Sequence, residues 1–300
     1  MTFNRETNNL TKSGPYRAPK SSTASTFLTM RAIHRKVKGL LYRAYGGKSI
    51  VDACCGRVAD FDSWSEAGIE RVIALEKDSE LVKIARERLK TFEKEGRKLQ
   101  CNLQQVDLSA SGFSCDEQKD AVFCNFALHY FWETDESARR FLDRFVPHLA
   151  SGGYFVVTYM DGEVIAEEGE INILNTRGTT EFKSNVVGKR KVDVYIESIG
   201  RTHQEALVTP SDLREQFKNA GLEHVTTHHF EDLRSLFPDL EKNMTEPELE
   251  MSNLFRASIF VKPMEKDMGS YPLQALSENF RLEDVLSLCS TKEMTKVRGY

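Results

Sequence analysis

A regular alternation of apolar runs and helical patterns between residues 48 and 160 constrains the fold more than any other feature of the chain. Five segments predict strands: KSIVDACCG, RVIALEKD, LQCNLQQVDL, DAVFCN and YFVVTYM. Between them, SELVKIARERLKTFEKEG and ESARRFLDRFVPHL carry apolar residues on one helical face. An alternation of this kind predicts an α/β chain with a doubly wound, mostly parallel sheet and helices on both faces.

The segments around this core differ in composition. Residues 1–24 are rich in Ser, Thr, Pro and Asn, which is typical of a flexible arm. We predict one main domain over residues 25–263. Within it, a polar and Gly-containing stretch breaks the rhythm and predicts a substrate-side insertion over residues 162–209. Residues 264–300 predict a tail that could form one amphipathic helix, either against its own domain or against a partner.

The charge of the chain is unevenly distributed. The formal net charge is −4, yet the segment from Thr7 to Val51 contains no acidic residue. Its basic residues are Lys12, Arg17, Lys20, Arg31, Arg35, Lys36, Lys38, Arg43 and Lys48. A localised basic segment on an acidic chain suits an anionic partner, although a charge run is also typical of ordinary solvated surface.

Composition places the chain among soluble globular proteins. Hydrophobic residues make up 40% and charged residues 29% of its 300 positions. No apolar run approaches the ~20 residues of a bilayer-spanning helix, and MTFNRETNNLTKSG lacks the apolar core of a secretory signal. We therefore expect a nuclear or cytoplasmic protein without membrane attachment. The six cysteines form no C-x-x-C pair, so we expect reduced thiols and no metal site.

Acidic residues follow three successive predicted strands. Asp52 and Gly56 have the D-x-x-x-G spacing of a nucleotide-binding loop, Glu76 stands twenty positions beyond that glycine, and Asp107 ends the third strand. Each acid alone is more typical of a turn or a helix cap. Because the loop lacks a G-K-[ST] lysine, the set favours an adenosine-bearing cofactor that is neutral or cationic, such as S-adenosylmethionine.

Several motifs together resemble the mRNA cap guanine-N7 methyltransferase family. FALHY at 126–130 is followed by an aromatic residue, and the helix MRAIHRKVKGLL has Arg31 and Lys38 at the family's spacing. LASGGYFVVT, and VDVYIESIG followed by Glu205 in QEALV, are weaker matches. The resemblance covers roughly residues 25–262. It implies a Rossmann-like class I methyltransferase fold with a seven-stranded sheet and a small cap-binding insertion.

The resemblance also implies an activity and a set of contacts. The expected reaction is methyl transfer from S-adenosylmethionine to guanine N7 of the GpppN cap of RNA, with S-adenosylhomocysteine as product and no residue acting as acid or base. The implied cofactor contacts are Lys38, Asp52, Cys54, Gly56, Asp60, Glu76, Asp107, Asn125 and Tyr130. The implied cap contacts are Arg57, Phe126, His129, Tyr130, Glu205 and Phe255. In this sequence Cys54, Val58 and Ala59 occupy positions where the family usually has glycine or another small residue.

The implied partners are capped RNA and other capping enzymes or RNA polymerase. Two alternatives remain open at this point. One is a methyltransferase that acts on a small molecule or a protein and shares only the cofactor half of the site. The other is a degenerate methyltransferase fold that binds RNA or activates a partner.

Overall fold

A computed structural model describes residues 27–197 and 199–264. The predicted flexible arm, and the predicted tail beyond residue 264, lie outside the described residues. Within the described ranges the chain forms two sheets with helices packed around them.

Eleven strands are described and are numbered in chain order. They are β1 Ser49–Ala53, β2 Arg71–Glu76, β3 Gln100–Gln105, β4 Lys119–Asn125, β5 Leu149–Met160, β6 Glu170–Leu174, β7 Thr180–Gly188, β8 Lys191–Ile196, β9 Arg201–Ala206, β10 Glu223–His229 and β11 Phe255–Val261. Seven of them form the main sheet in the order β10-β11-β5-β4-β1-β2-β3. The five strands from β5 to β3 in this order are parallel, and only β11 runs antiparallel to its neighbours. The predicted doubly wound, mostly parallel sheet is confirmed.

The helices cover both faces of this sheet. They are α1 Leu28–Tyr45, α2 Phe61–Glu66, α3 Ser79–Lys94, α4 Asp135–Phe145, α5 Gly162–Glu168, α6 Pro210–Asn219, α7 Phe230–Arg234, α8 Pro238–Glu241 and α9 Glu246–Asn253, with short 3-10 turns at Leu128–Tyr130 and Val146–His148. Helices α1, α2, α3 and α7 pack into one apolar core, whereas α4 and α6 pack into another. Along β1, Ile50 belongs to the first core and Val51 to the second, as the two-residue period of a strand requires.

Helix α1 forms as its apolar pattern predicts. Met30, Ile33, Val37, Leu40 and Leu41 are all buried, and the helix ends before a glycine pair whose second member has a φ of +59°. Its first turn contains no acidic residue and has no side-chain cap of its own.

Helix α9 supplies the missing partner for that end of α1. The Met30 amide donates a hydrogen bond of 3.0 Å to Glu248 Oε1. A carboxylate at this end compensates both the unpaired amides and the positive end of the helix dipole. The basic helix is therefore fixed in place by a segment more than two hundred residues away in sequence.

The second sheet is antiparallel and contains β6, β7, β8 and β9 in that order. None of these four strands was predicted, because β6 and β8 are short and β7 and β9 are rich in polar residues, as in RTHQEA. Arg190, beside the turn into β8, forms ion pairs with Asp135 at 2.6 Å and with Asp212 at 3.0 Å. These pairs connect the small sheet to α4 and α6 of the main body. Helices α5, α7, α8 and α9 were also not predicted.

Two absences can be stated for residues 27–197 and 199–264. None of their helices combines the length and the apolar character that crossing a bilayer requires. Their His, Cys, Asp and Glu side chains form no cluster of three or more that could hold a metal ion.

Candidate active site

A cavity of about 360 Å³ opens where β1, β2 and β4 end and where the chain leaves β3. We call it the strand-end cavity. Its lining includes the predicted site residues Cys54, Gly56, Glu76, Asp107, Asn125, Phe126 and Tyr130. Its apolar walls include Leu75, Leu81, Val106, Leu108 and Phe131. Its volume lies in the range of small-molecule sites. Six of the predicted cofactor residues line it.

Glu76 is held at the end of β2 by backbone amides. Its Oε2 accepts from the Gly56 amide at 3.0 Å, and its Oε1 accepts from the amides of Lys77 and Asp78, each at 2.8 Å. These bonds fix the carboxylate and tie the loop after β1 to β2. A carboxylate held in this way can still accept a hydrogen bond from a hydroxyl group through its remaining lone pair on Oε2.

Asp107 stands two residues beyond β3 and also lines the cavity. Its Oδ1 accepts from the Ser109 amide at 2.9 Å and from Ser109 Oγ at 2.5 Å. Burial alone would raise the pKa of Asp107, but the hydrogen bonds from Ser109, with nearby Lys77 and Arg144, lower it below its usual value. The side chain is therefore an ionised acceptor at neutral pH.

A buried polar network lies beneath the cavity. Tyr42 Oη is 3.0 Å from Asp52 Oδ2 and 3.1 Å from Asp60 Oδ2, and it accepts from Asn125 Nδ2 at 2.8 Å. Lys38 Nζ donates to both oxygens of Asp60, at 2.6 and 2.5 Å. Burial, together with the Asp60 charge, raises the pKa of Asp52 to about 8. Asp52 is thus mainly protonated at neutral pH and does not line the strand-end cavity.

A second, basic pocket of about 240 Å³ lies along α1. We call it the α1 pocket, and its lining contains Arg31, His34, Arg35, Lys38, Ala59, Asp60 and Phe126. The α1 residues recur at helical spacing, so they lie on one face of the helix. Burial lowers the pKa of Arg31, with Glu181 opposing this effect and Arg57 reinforcing it. The lining of the α1 pocket thus combines three cationic side chains, Arg31, Arg35 and Lys38, with one carboxylate, Asp60.

Aromatic rings form the wall between the two pockets. Phe126 lines both of them, and its ring stacks on His34 with centroids 5.8 Å apart. Phe255 packs edge-on against His34 at 5.0 Å and Phe126 at 5.3 Å. His34 Nε2 lies 3.1 Å from Ser252 Oγ. Burial, assisted by the charges of Lys38 and Arg234, lowers the pKa of His34 to about 3, so this ring is neutral at pH 7.

Three side chains around the site stand on backbone that normally favours glycine. The φ angles are +67° at Cys54, +55° at Val58 and +56° at Phe126. The resemblance to the cap methyltransferase family implies glycine or another small residue at the positions of Cys54 and Val58. For residues with a Cβ, and for a β-branched residue above all, this conformation is strained. Strain of this kind is maintained only where surrounding contacts fix the backbone.

Glu205 and His129 lie beside the strand-end cavity. His129 Nδ1 is 3.6 Å from Glu205 Oε2, and the rings of His129 and Tyr130 are 4.2 Å apart. Tyr130 in turn lines the strand-end cavity. His129 and Glu205 also line a small cavity of about 20 Å³, together with Met160 and Val192. Burial lowers the pKa of His129, with Glu205 opposing this effect and His203 adding to it.

The structure brings most of the predicted residues into one region, with differences in detail. Lys38 and Asp60 line the α1 pocket rather than the strand-end cavity, and Phe255 is a buried wall residue. Arg57 is exposed and lies outside the lining of both pockets.

Sequence reasoning missed two histidines of this region. His34 follows Arg31 at a helical spacing, so it could have been placed on the same face of α1. His203 stands two residues before Glu205 on β9, which is the spacing of one strand face. Its Nε2 is 2.7 Å from Glu205 Oε1.

The arrangement of strands and cavities defines a class of protein. The chain has the class I methyltransferase fold, and solved methyltransferases share it. The CcbJ methyltransferase from Streptomyces caelestis superposes with a TM-score of 0.51 at 15% identity, covering 76% of this chain and 89% of that one. The glycopeptide N-methyltransferase MtfA, solved with S-adenosyl-L-homocysteine, superposes with a TM-score of 0.51 at 18% identity, covering 76% and 89%. Identity at this level supports the fold alone.

The sequence match is more specific. Residues 8–191 match the mRNA (guanine-N(7))-methyltransferase domain, and the chain belongs to this family. The mRNA cap guanine-N(7) methyltransferase of Caenorhabditis briggsae is 29% identical over 124 residues, which are 39% of this chain and 32% of that protein. The mRNA cap guanine-N(7) methyltransferase 1 of Arabidopsis thaliana is 26% identical over 157 residues, or 48% and 42%. The matched part of the chain spans less than half the length of each relative.

Proposed function

We propose that this chain transfers the methyl group of S-adenosylmethionine to guanine N7 of the GpppN cap of RNA. The observation that supports the proposal is that Tyr130 connects a cofactor-sized cavity to the pair formed by His129 and Glu205. Tyr130 lines the cavity, its ring lies 4.2 Å from that of His129, and His129 contacts Glu205. Family membership supports the same activity.

The strand-end cavity fits this cofactor by its chemistry. Glu76 can accept from a ribose diol and Asp107 from an adenine amino group, while Leu75, Val106 and Phe131 offer apolar surface to the purine. Lys77 is the only Lys or Arg in the described lining. The cavity therefore suits a nucleoside better than a polyphosphate. When bound, the cofactor supplies a methyl carbon activated by the adjacent sulfonium.

The residues of this chain act mainly by alignment. Guanine N7 carries a lone pair at neutral pH, so no side chain has to remove a proton. Holding nucleophile and methyl carbon in line can supply ~7–11 kcal/mol relative to a bimolecular encounter in water. Phe126 and Tyr130 stand where a purine would have to enter from the cavity side, and base stacking on an aromatic ring contributes about 1–3 kcal/mol.

Glu205 supplies electrostatic stabilisation in the proposed reaction. Its carboxylate can accept from the N1–H and N2–H edge of guanine, and a hydrogen bond to a charged group contributes roughly 1.5–3 kcal/mol. Methylation leaves the guanine ring positive, so an anionic partner stabilises the transition state more than the ground state. Because burial lowers the pKa of His129, its neutral ring adds no opposing charge at pH 7.

The α1 pocket completes the proposal as the site of the triphosphate bridge. Arg31, Arg35 and Lys38 present positive charge on one face of α1, and Arg57 interacts electrostatically with Arg31. Cap binding should consequently weaken as the salt concentration rises.

The first experiment identifies the product. The protein is incubated with methyl-labelled S-adenosylmethionine and unmethylated GpppRNA, and the digested cap is resolved by chromatography. We expect labelled 7-methylguanosine from GpppRNA and none from ApppRNA, which serves as the matched substrate. Label at any other position, or in both substrates equally, would contradict the proposal.

Glu205→Ala tests the cap half of the site. We expect at least a tenfold loss in kcat/KM for GpppRNA, since a charge-assisted hydrogen bond of roughly 1.5–3 kcal/mol is removed. Cofactor affinity, measured by calorimetry, should remain unchanged. Glu223→Ala, an exposed residue of β10, is the matched control. Full activity of Glu205→Ala would argue against the proposed cap pocket.

The alternatives give different results in the same assays. A methyltransferase for a small molecule or a protein would bind the cofactor but would leave GpppRNA unlabelled. A degenerate fold that only binds RNA or activates a partner would give no heat on titration with S-adenosylmethionine. The strained backbone at Cys54 and Val58 is the feature that keeps the second alternative in view.

The proposal extends to partners and location. A GpppN end is produced on nascent transcripts by other enzymes, so we propose contact with capping enzymes or RNA polymerase in the nucleus or the cytoplasm. Co-purification of the full chain with these proteins from cells tests this part separately.

A further inference from the structure

His203 and Glu205 lie on one buried face of the small antiparallel sheet. Val194 is the cross-strand neighbour of His203, and Val192 is that of Glu205; both valines are almost completely buried. The side chains of His203 and Glu205 are 10% and 2% exposed. A carboxylate in such surroundings has lost most of its hydration, so its remaining polar contacts determine both its charge and its orientation.

The two histidines beside Glu205 contact it unequally. His203 Nε2 is 2.7 Å from Oε1, the distance of a strong charge-assisted hydrogen bond. His129 Nδ1 is 3.6 Å from Oε2, which is beyond hydrogen-bond distance. The small cavity beside these groups, at about 20 Å³, has room for little more than one water molecule. A guanine edge can therefore reach Oε2 only if groups on the His129 side move.

We infer that His203 is a positioning residue that sets guanine specificity: it donates from Nε2 to Glu205 Oε1 and holds the carboxylate so that Oε2 faces the incoming base. His203 stays in place with its strand while the looser His129 contact yields to the guanine N1 and N2 edge. This inference rests on the proposed cap activity. The family match ends at residue 191 and so does not reach His203.

The consequence is a specific effect on base discrimination. Hypoxanthine in an IpppRNA cap keeps the N1–H group but lacks the exocyclic amine. A fixed carboxylate has one lone pair aimed at that amine, so loss of the amine leaves a buried acceptor unpaired and should be strongly disfavoured. A carboxylate that is free to rotate can re-aim at N1–H and discriminates less.

The experiment measures kcat and KM for GpppRNA and IpppRNA at saturating S-adenosylmethionine. We expect the wild type to prefer GpppRNA by about tenfold or more, which corresponds to one hydrogen bond to a charged group. His203→Phe should reduce this preference to about twofold or less, mainly by raising KM for GpppRNA. His203→Gln, whose amide can donate at a similar reach, should restore most of the preference. In a Glu205→Ala background, His203→Phe should have no further effect.

Calorimetric affinity for S-adenosylmethionine separates positioning from a purely structural role, and it should be unchanged in His203→Phe and His203→Gln. The melting temperature should fall in His203→Phe, because the buried Glu205 carboxylate loses its donor, and should stay close to that of the wild type in His203→Gln. If His203→Phe does not fold, His203→Asn, whose amide is too short to reach Oε1, replaces it with the same expectation.

The inference is overturned if the donor-lacking variant keeps the wild-type preference, or if it loses activity on both caps equally together with cofactor affinity. If the wild type does not methylate GpppRNA at N7, the proposed function fails and this inference fails with it. If the wild type methylates GpppRNA at N7 and the donor-lacking variant keeps the wild-type preference, the inference about His203 is overturned but the proposed function is not.

Discussion

At the scale of single residues, the site depends on side chains held in unfavourable backbone conformations. Phe126 has a φ of +56°, and its amide lies 2.9 Å from the Thr158 carbonyl oxygen and 3.2 Å from Thr158 Oγ1. These contacts to β5 hold the turn at the end of β4. The left-handed turn explains how one ring can line both the strand-end cavity and the α1 pocket.

Cys54 offers a direct measurement of this strain. Its φ is +67°, and it is only partly buried, so little packing is lost when its side chain is removed. We expect Cys54→Gly to be more stable to urea than Cys54→Ala by about 1 kcal/mol, because only glycine adopts this conformation without a Cβ clash. Equilibrium unfolding of the two variants measures the difference.

The matched comparison uses a position with ordinary backbone. At Cys101, on β3 and also partly buried, the order should be reversed, with Ala more stable than Gly. Equal stabilities of Cys54→Gly and Cys54→Ala would mean that the loop relaxes and stores no strain. The Cys54→Gly variant also tests whether a glycine at this position improves cofactor affinity.

At the scale of elements, helix α1 and helix α9 act as one unit. Glu248 accepts from the first turn of α1, and Ser252 contacts His34 one helical turn further along each helix. His34 then stacks against Phe126. Through these contacts the segment before β11 determines where the basic face of α1 stands relative to the two pockets.

The buried ring of His34 makes the stability of the folded protein depend on pH. Its pKa is about 3 in the folded protein against 6.5 in an unfolded chain. The unfolded state therefore binds more protons between these values, so stability is complete above about pH 6.5 and falls as the pH drops. We expect a loss of about 2 kcal/mol between pH 6.5 and 5 from this residue, since one pKa unit corresponds to about 1.4 kcal/mol.

The measurement is urea unfolding of wild type and His34→Gln across that pH range. The variant should be less stable at pH 8, because it packs less well among the phenylalanine rings, but its stability should fall less steeply toward pH 5. Identical slopes for the two proteins would show that His34 becomes solvated or is already charged in the folded state.

The same elements indicate how far the sequence could predict the structure. Strands β1 to β5 and helix α1 were predictable because their apolar residues follow the periods of strands and of an amphipathic helix. Strands β7 and β9 were missed since their buried faces carry residues such as Ser184, His203 and Glu205, which a hydrophobic pattern does not register. Strands β6 and β8 were missed because each is short and has only two buried apolar residues. Asp107 and Glu76 were placed by topology, because parallel strands end at the same edge.

Which groups are protonated could not be read from the sequence. Asp52 has the position expected of a cofactor ligand, yet Tyr42 and Asp60 enclose it and burial raises its pKa to about 8. The proximity of Asp52, Asp60 and Tyr42 depends on tertiary packing between α1, β1 and the loop before α2.

At the scale of the whole molecule, the two halves of the proposed site belong to different sheets. The main sheet provides Glu76 and Asp107, whereas the small sheet provides Glu205 through β9. Their relative position determines whether a guanine edge and a methyl donor can be aligned. Arg190 links the two layers, because its side chain pairs with Asp135 and Asp212 while its carbonyl oxygen accepts from the Leu207 amide at 3.0 Å.

Arg190→Ala should therefore damage the cap half of the site and spare the cofactor half. We expect KM for GpppRNA to rise about fivefold, which corresponds to about 1 kcal/mol for a partly exposed pair of ion pairs. The Kd for S-adenosylmethionine should not change, because the strand-end cavity contains no residue of the small sheet. Lys183→Ala is the matched control, since its pair with Glu170 lies within the small sheet and is more exposed. If both variants raise KM equally, the effect is one of surface charge on RNA binding; a rise confined to Arg190→Ala identifies the position of the small sheet as the cause.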